Sequence, residues 1–285
     1  MRCPALEPRP RCSCPELYRK GSFSLSGRQY KARSCRSIAL SLAVASAMAL
    51  SLVTMAVPPM TSRAQSAAHK GYGITKTGLT PVYPTGFDCS PLTSLYASWK
   101  DVDGSNRSEP HSGIDGGRLG DDVLAPAGGI VRAVWEADWG WGREGALLIR
   151  HARQDLNLAD GPPYYYSALY HLRYDDIRDV KVGQRIARGQ SIGHVFRPGG
   201  RSFYLPEVHL EVYEVGDDDA LEWLENRRGA AYWVNEDARL IDPLYLMSLH
   251  VPPGDGRSVL VQPFLPDTDY RMFRGFTYIL PCTRR

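Results

Sequence analysis

Three short stretches of this 285-residue chain hold side chains whose types and spacing could do chemistry. The first is His111-Ser-Gly-Ile-Asp115-Gly-Gly. Glycine inside a helix costs about 0.5–1 kcal/mol, so Gly113, Gly116 and Gly117 point to a compact loop in which His111 and Asp115 meet. The second is Pro206-Glu207-Val208-His209-Leu210-Glu211-Val212. Alternation in a strand sends Glu207, His209 and Glu211 to one face and Val208, Leu210 and Val212 to the other, into a core. The third, Ala168-Leu-Tyr-His171-Leu, puts a histidine at the end of an aromatic run. Each stretch also has a plain structural reading: a glycine turn, a half-exposed strand, a packed histidine. Together, His111, Asp115 and His209 make a two-histidine, one-carboxylate set, which leaves a fourth position for water as a catalytic zinc site requires. Zinc brings its water's pKa to about 7 and polarises a peptide carbonyl.

Strands must position these groups. Gly129–Trp135 and Ala146–Arg150 read as a hairpin turning at Asp138–Gly142; Tyr164–Tyr170, Gln190–Val195 and Val208–Tyr213 add three more strands. Many short strands between turn signals predict a mostly β fold, a small antiparallel sheet or sandwich. Only Asp219–Asn226 has a helix-like pattern, through Leu221 and Leu224. The aromatics Trp135, Trp139, Trp141 and Tyr164–Tyr166 either pack or line a groove. Residues 67–85, small, polar and broken by Pro and Gly, read as a linker. The domain follows over 86–250, and 251–285 reads as a tail packed on it.

The net charge of +3 is uneven. Residues 1–36 carry nine Lys/Arg and two Asp/Glu, leaving 25 against 29 in the rest. The basic character therefore belongs to a leader, and nothing supports nucleic-acid binding. An uncharged apolar run, Ile38–Val57, ends at Pro58-Pro59 and precedes small residues at 64–68. Residues 37–66 thus read as a signal peptide or membrane anchor, and either predicts export to the periplasm or outside the cell. Four of six cysteines lie in the leader; the other two, Cys89 and Cys282, bracket the exported part. They predict one disulfide, with two unrelated buried thiols as the alternative.

Read in order, the chain gives H-S-G-I-D-G-G, D-V-L-A-P-A-G-G-I-V, L-L-I-R-H, A-L-Y-H-L, V-K-V-G-Q-R-I-A-R-G-Q-S-I-G, P-E-V-H-L-E-V and I-D-P-L-Y-L. This series resembles the lysostaphin-type (LytM-like) zinc metalloendopeptidases over about residues 86–247. The resemblance implies a small antiparallel β domain of the duplicated hybrid motif kind. It also implies Zn²⁺ as cofactor, held by His111, Asp115 and His209, and His171 as a catalytic histidine on the oxyanion or the water. The partners it implies are the cross-link and stem peptides of peptidoglycan, with a membrane involved only through an N-terminal anchor. Glu211 reads as a residue orienting a ligand imidazole or as a solvated strand residue, and His151 as structural.

One position departs from the family, which has a histidine as general base two residues before the last ligand; here it is Glu207. A carboxylate can take a proton from a zinc-activated water, or it can close the site as a fourth ligand. The alternative function is accordingly an inactive zinc-binding domain that binds cell wall or regulates another hydrolase. A serine hydrolase is disfavoured: Gly189-Gln-Ser191-Ile-Gly193 lacks the strand before and helix after that a nucleophile elbow needs.

Overall fold

The computed structural model describes residues 73–137, 143–197, 206–217, 222–225, 231–234 and 238–285. The leader, the apolar run, the whole of the expected hairpin turn with Trp139 and Trp141, and Asp218–Leu221 lie outside them. Among the described residues no helix is long and apolar enough to cross a membrane.

The centre is an eight-stranded sheet whose every pairing is antiparallel. Its strands are β1 (Leu92–Ser94), β2 (Ile114–Gly116), β3 (Gly129–Ala137), β4 (Glu144–Ala152), β5 (Tyr164–Leu172), β6 (Arg185–Ile186), β7 (Val208–Val215) and β8 (Arg239–Ile241). They run in the order β1-β2-β7-β5-β4-β3-β6. β2 and β8 share one edge of β7, opposite residues 208–210 and 212–214 respectively. The fold is mostly β, with two short α-helices among the described residues, α1 (Tyr174–Ile177) and α2 (Pro243–Met247).

β4 is buried on both faces, Leu147, Leu148 and Ile149 being essentially inaccessible. The second cover comes partly from the C-terminal segment. Phe276, Tyr278, Ile279 and Leu280 are fully buried, and Phe276 packs edge-on to His151 at 5.1 Å. Strand Cys282–Arg284 pairs with Phe87–Cys89, and a disulfide joins Cys89 to Cys282. Residues 251–285 thus supply core as well as cover.

Two expectations need correction. The stretch read as linker includes strand Thr80–Val82, paired in parallel with Ser258–Leu260, because the tail offers an edge whose backbone groups it satisfies. The helix-like stretch contains strand Glu222–Glu225, antiparallel to Ala231–Val234 with Trp223 opposite Trp233. One leucine pair three apart is a weak helical signal, and aromatic residues on both sides of a turn favour a hairpin.

Candidate metal centre

The register of β2 against β7 sets Asp115 directly opposite His209. His111 reaches the same place from the preceding loop, its backbone bonded to Ala97 and Ser98. That loop lies flat on β7 because of Gly113: a Cβ there would stand 2.1 Å from the Leu210 carbonyl oxygen and 3.0 Å from the His209 ring. Three ligand atoms converge. His111 Nε2 is 3.1 Å from Asp115 Oδ1 and 3.0 Å from His209 Nδ1, and His209 Nδ1 is 2.7 Å from Asp115 Oδ1. Ligand bonds of about 2.0–2.1 Å in a tetrahedral zinc site put donor atoms about 3.3 Å apart, so the triangle needs only slight opening around a cation.

Hydrogen bonds on the far side of each ring fix which nitrogen is free. His111 Nδ1 donates to the Leu95 carbonyl at 3.0 Å, with Ser94 Oγ at 3.1 Å, leaving the Nε2 lone pair toward the triangle. His209 Nε2 faces Glu211 Oε1 at 3.3 Å, which leaves Nδ1 as the ligand atom. Glu211 is itself buried and accepts from Tyr170 Oη at 3.1 Å and from Tyr213 Oη. Burial opposes its charge, yet bonds from His209, Ser112 and Tyr213 hold its carboxyl down at about 2. The second oxygen of Asp115 accepts from Arg107 at 3.1 Å, and Arg107 also donates to Asp101 at 3.1 Å. Burial disfavours the His209 imidazolium, but Asp115 and Glu211 outweigh it and raise the ring to about 10. A divalent cation in the triangle supplies that positive charge in the proton's place. The donor set fits zinc: two imidazole nitrogens of settled tautomer and one carboxylate oxygen.

Two more groups flank the triangle. Glu207 is half-buried; one of its oxygens is buried without a hydrogen-bond partner. Burial and the neighbouring Asp115 push its carboxyl up to about 8. Its carboxylate is not among the converging atoms. His171 lies across β5, its ring centroid 6.2 Å from that of His209. Between β5 and β4 the register slips so that Tyr170 and His171 face the single residue Ala146, a bulge with His171 at φ 61°. Bulges re-aim side chains, and here Nδ1 of His171 meets the fully buried carboxylate of Glu144.

All five expected site residues thus lie in one place, and Glu211 is the imidazole's partner and not a solvated residue. Sequence reasoning passed over Ser94, Arg107 and Glu144. His151 is fully buried, bonded to the Gly128 carbonyl at 2.7 Å and Ser167 Oγ at 2.8 Å. Trp135 packs edge-on to Tyr170 at 5.9 Å, and Tyr165 and Tyr166 are buried, so these aromatics build core.

Fold and site together define a metallopeptidase-type β domain with a two-histidine, one-carboxylate centre. Residues 109–221 match the model of Peptidase family M23, and over that stretch the chain is similar to the peptidases of that family. Similar solved structures include a zinc-containing peptidase from Vibrio cholerae, 26% identical over 44% of this chain, with a TM-score of 0.30. This chain covers 33% of that one. Another is LytU, 22% identical over 51% of this chain and 81% of that one, TM-score 0.32. A third is a mutant catalytic domain of the prophage-encoded M23 protein EnpA from Enterococcus faecalis, 22% identical over 56% and 95%, TM-score 0.30. No curated protein matches the chain.

Proposed function

We propose that the protein is a zinc-dependent endopeptidase that cleaves peptide bonds of peptidoglycan cross-links or stem peptides. The observation that carries this reading is the convergence of His111 Nε2, Asp115 Oδ1 and His209 Nδ1 beside two groups suited to proton transfer, Glu207 and His171. When bound there, zinc supplies Lewis acidity for a water and a peptide carbonyl.

The chain's own residues do the rest. Asp115 and the two imidazoles hold the ion, and Leu95, Glu211 and Arg107 hold them in turn. Glu207 takes the proton of the attacking water; a base whose pKa lies near neutrality does this best. A cation held by the triangle would oppose the Asp115 repulsion and lower that pKa from about 8. His171, steadied by Glu144, donates a hydrogen bond to the developing oxyanion. The Glu207 carboxylate stands outside the three converging atoms, which supports its reading as a base and not as a fourth ligand. We also read the chain as exported, through residues 37–66; the Cys89–Cys282 disulfide supports an oxidising compartment.

Glu207 in the place of a histidine favours a second reading, an inactive zinc-binding domain that binds wall or regulates another hydrolase. One experiment separates the two: purified peptidoglycan is digested with the zinc-loaded protein, and released fragments are read by mass spectrometry. Endopeptidase activity yields new free amines at a defined position, abolished by a chelator and in Glu207→Ala with zinc retained. No release from several wall types, with zinc still bound, sinks the enzymatic reading; full activity in Glu207→Ala sinks the role given to Glu207.

A further inference from the structure

Beside the metal centre lies a cleft of about 300 Å³ lined by Arg143, Arg173, Tyr174, Asp175, Phe196 and Arg197. Its walls are continuous with the reacting groups. Arg173 follows His171 by two residues, Arg143 precedes Glu144, and Phe196 is bridged through its backbone to Glu207. The guanidinium groups differ in what they already hold. Arg143 is committed to Glu136 at 3.0 Å and lies 5.3 Å over the Tyr174 ring. The single acid of the cleft, Asp175, pairs with Arg178 at 3.5 Å. Arg173 and Arg197 are exposed and have no ion-pair or hydrogen-bond partner for their side chains among the described residues. A concave surface with two unengaged guanidinium forks and a compensated acid is built to receive a planar anion.

We propose that this cleft is an anion subsite, in which Arg173 and Arg197 seat a carboxylate of the peptide substrate next to the bond to be cut. The inference rests on the peptidase reading and narrows it. The preferred substrate carries a free carboxylate near the scissile bond, as a wall stem peptide does, and is not an uncharged bridge such as a run of glycines.

The test is calorimetric titration of the zinc-loaded full chain carrying Glu207→Gln, so that binding is read without turnover. Two probes are compared: a wall stem tetrapeptide with its carboxylates free, and the same peptide with every carboxylate amidated. The free acid should bind about tenfold more tightly, the worth of one charge-assisted contact over its neutral counterpart. That preference should shrink with added salt, fall in Arg173→Gln and Arg197→Gln, and be unchanged in Arg284→Gln, which lies on the strand paired with Phe87–Cys89 and not in the cleft lining. Equal affinity for acid and amide, binding of neither, or a preference that survives Arg173→Gln/Arg197→Gln together overturns the subsite. Wall digestion without any acid preference would remove the subsite and leave the peptidase; acid preference without digestion would do the reverse.

Discussion

Glu211 offers a direct test of how the metal centre is held, independent of catalysis. Its Oε1 stands 3.3 Å from His209 Nε2, and both side chains are almost out of reach of water, at 8% and 12% exposure. Glu211→Gln keeps shape and an acceptor oxygen but removes the charge. A bond to a charged group is worth about 1.5–3 kcal/mol and a neutral one about 0.5–1.5. The difference of about 1–1.5 kcal/mol is close to tenfold in zinc affinity, at the low end of the 10–100-fold seen for outer partners of metal-bound histidines. Competition against a chromophoric chelator on the folded full chain measures it. Glu214→Gln serves as the control, since Glu214 is buried on the same strand but pairs with Arg239 at 2.8 Å. Zinc affinity within about twofold of the parent in Glu211→Gln, or an equal loss in Glu214→Gln, would refute the orienting role.

Other consequences can be measured on the same protein. Arg107→Gln takes the ion-pair partner from the buried Asp115 and should lower the stability of the metal-free chain by about 1–3 kcal/mol. In zinc-loaded protein the loss should be smaller, because the ion compensates Asp115; equal losses in both states would count against this. Burial holds His151 neutral, down at about 4, so an unfolded histidine near 6.5 binds a proton that the native one refuses. Stability should therefore be full above pH 6.5 and decline by about 3 kcal/mol toward pH 4; His151→Gln, followed by denaturant titration, should flatten that slope. Reduction of Cys89–Cys282, which closes 193 residues of chain, should cost about 2–5 kcal/mol. An unchanged melting temperature after verified reduction would mean that the 282–284 strand is held without it.

How much of this was legible depends on the range over which each feature is set. The ligand triangle was legible because its parts are local. Glycines force the His111–Asp115 loop, and period-two alternation puts His209 and Glu211 on the face opposite Val208 and Leu210, both fully buried. Glu144 was not, since nothing in Arg143-Glu-Gly-Ala marks it as the partner of a residue 27 positions on. That contact arises only from the slipped register between β4 and β5. Arg107 was hidden likewise: its guanidinium reaches Asp115 because its backbone amide bonds to the Trp99 carbonyl, a loop closure that composition does not encode. At 222–225 a leucine spacing suggested helix where cross-strand pairing decides.

The residues that escaped the sequence are also those that make sense of the unusual one. A carboxylate at 207 places a second negative charge beside Asp115, which by itself drives Glu207 toward its protonated form and away from service as a base. Arg107 acts against that pressure from two sides. It neutralises the outer oxygen of Asp115 at 3.1 Å, and its charge lowers the Glu207 pKa directly. The glutamate at 207 is therefore not isolated in this chain; it comes with a guanidinium placed where its charge is felt. Glu144 extends the same logic to the opposite flank, where its buried carboxylate engages Nδ1 of His171 and fixes the ring beside the triangle. The partners of His111, His209 and Asp115 would serve an inert zinc-binding domain equally well; the Glu144 carboxylate on Nδ1 of His171, a ring that takes no part in holding the ion, is what favours the catalytic reading over the inert one.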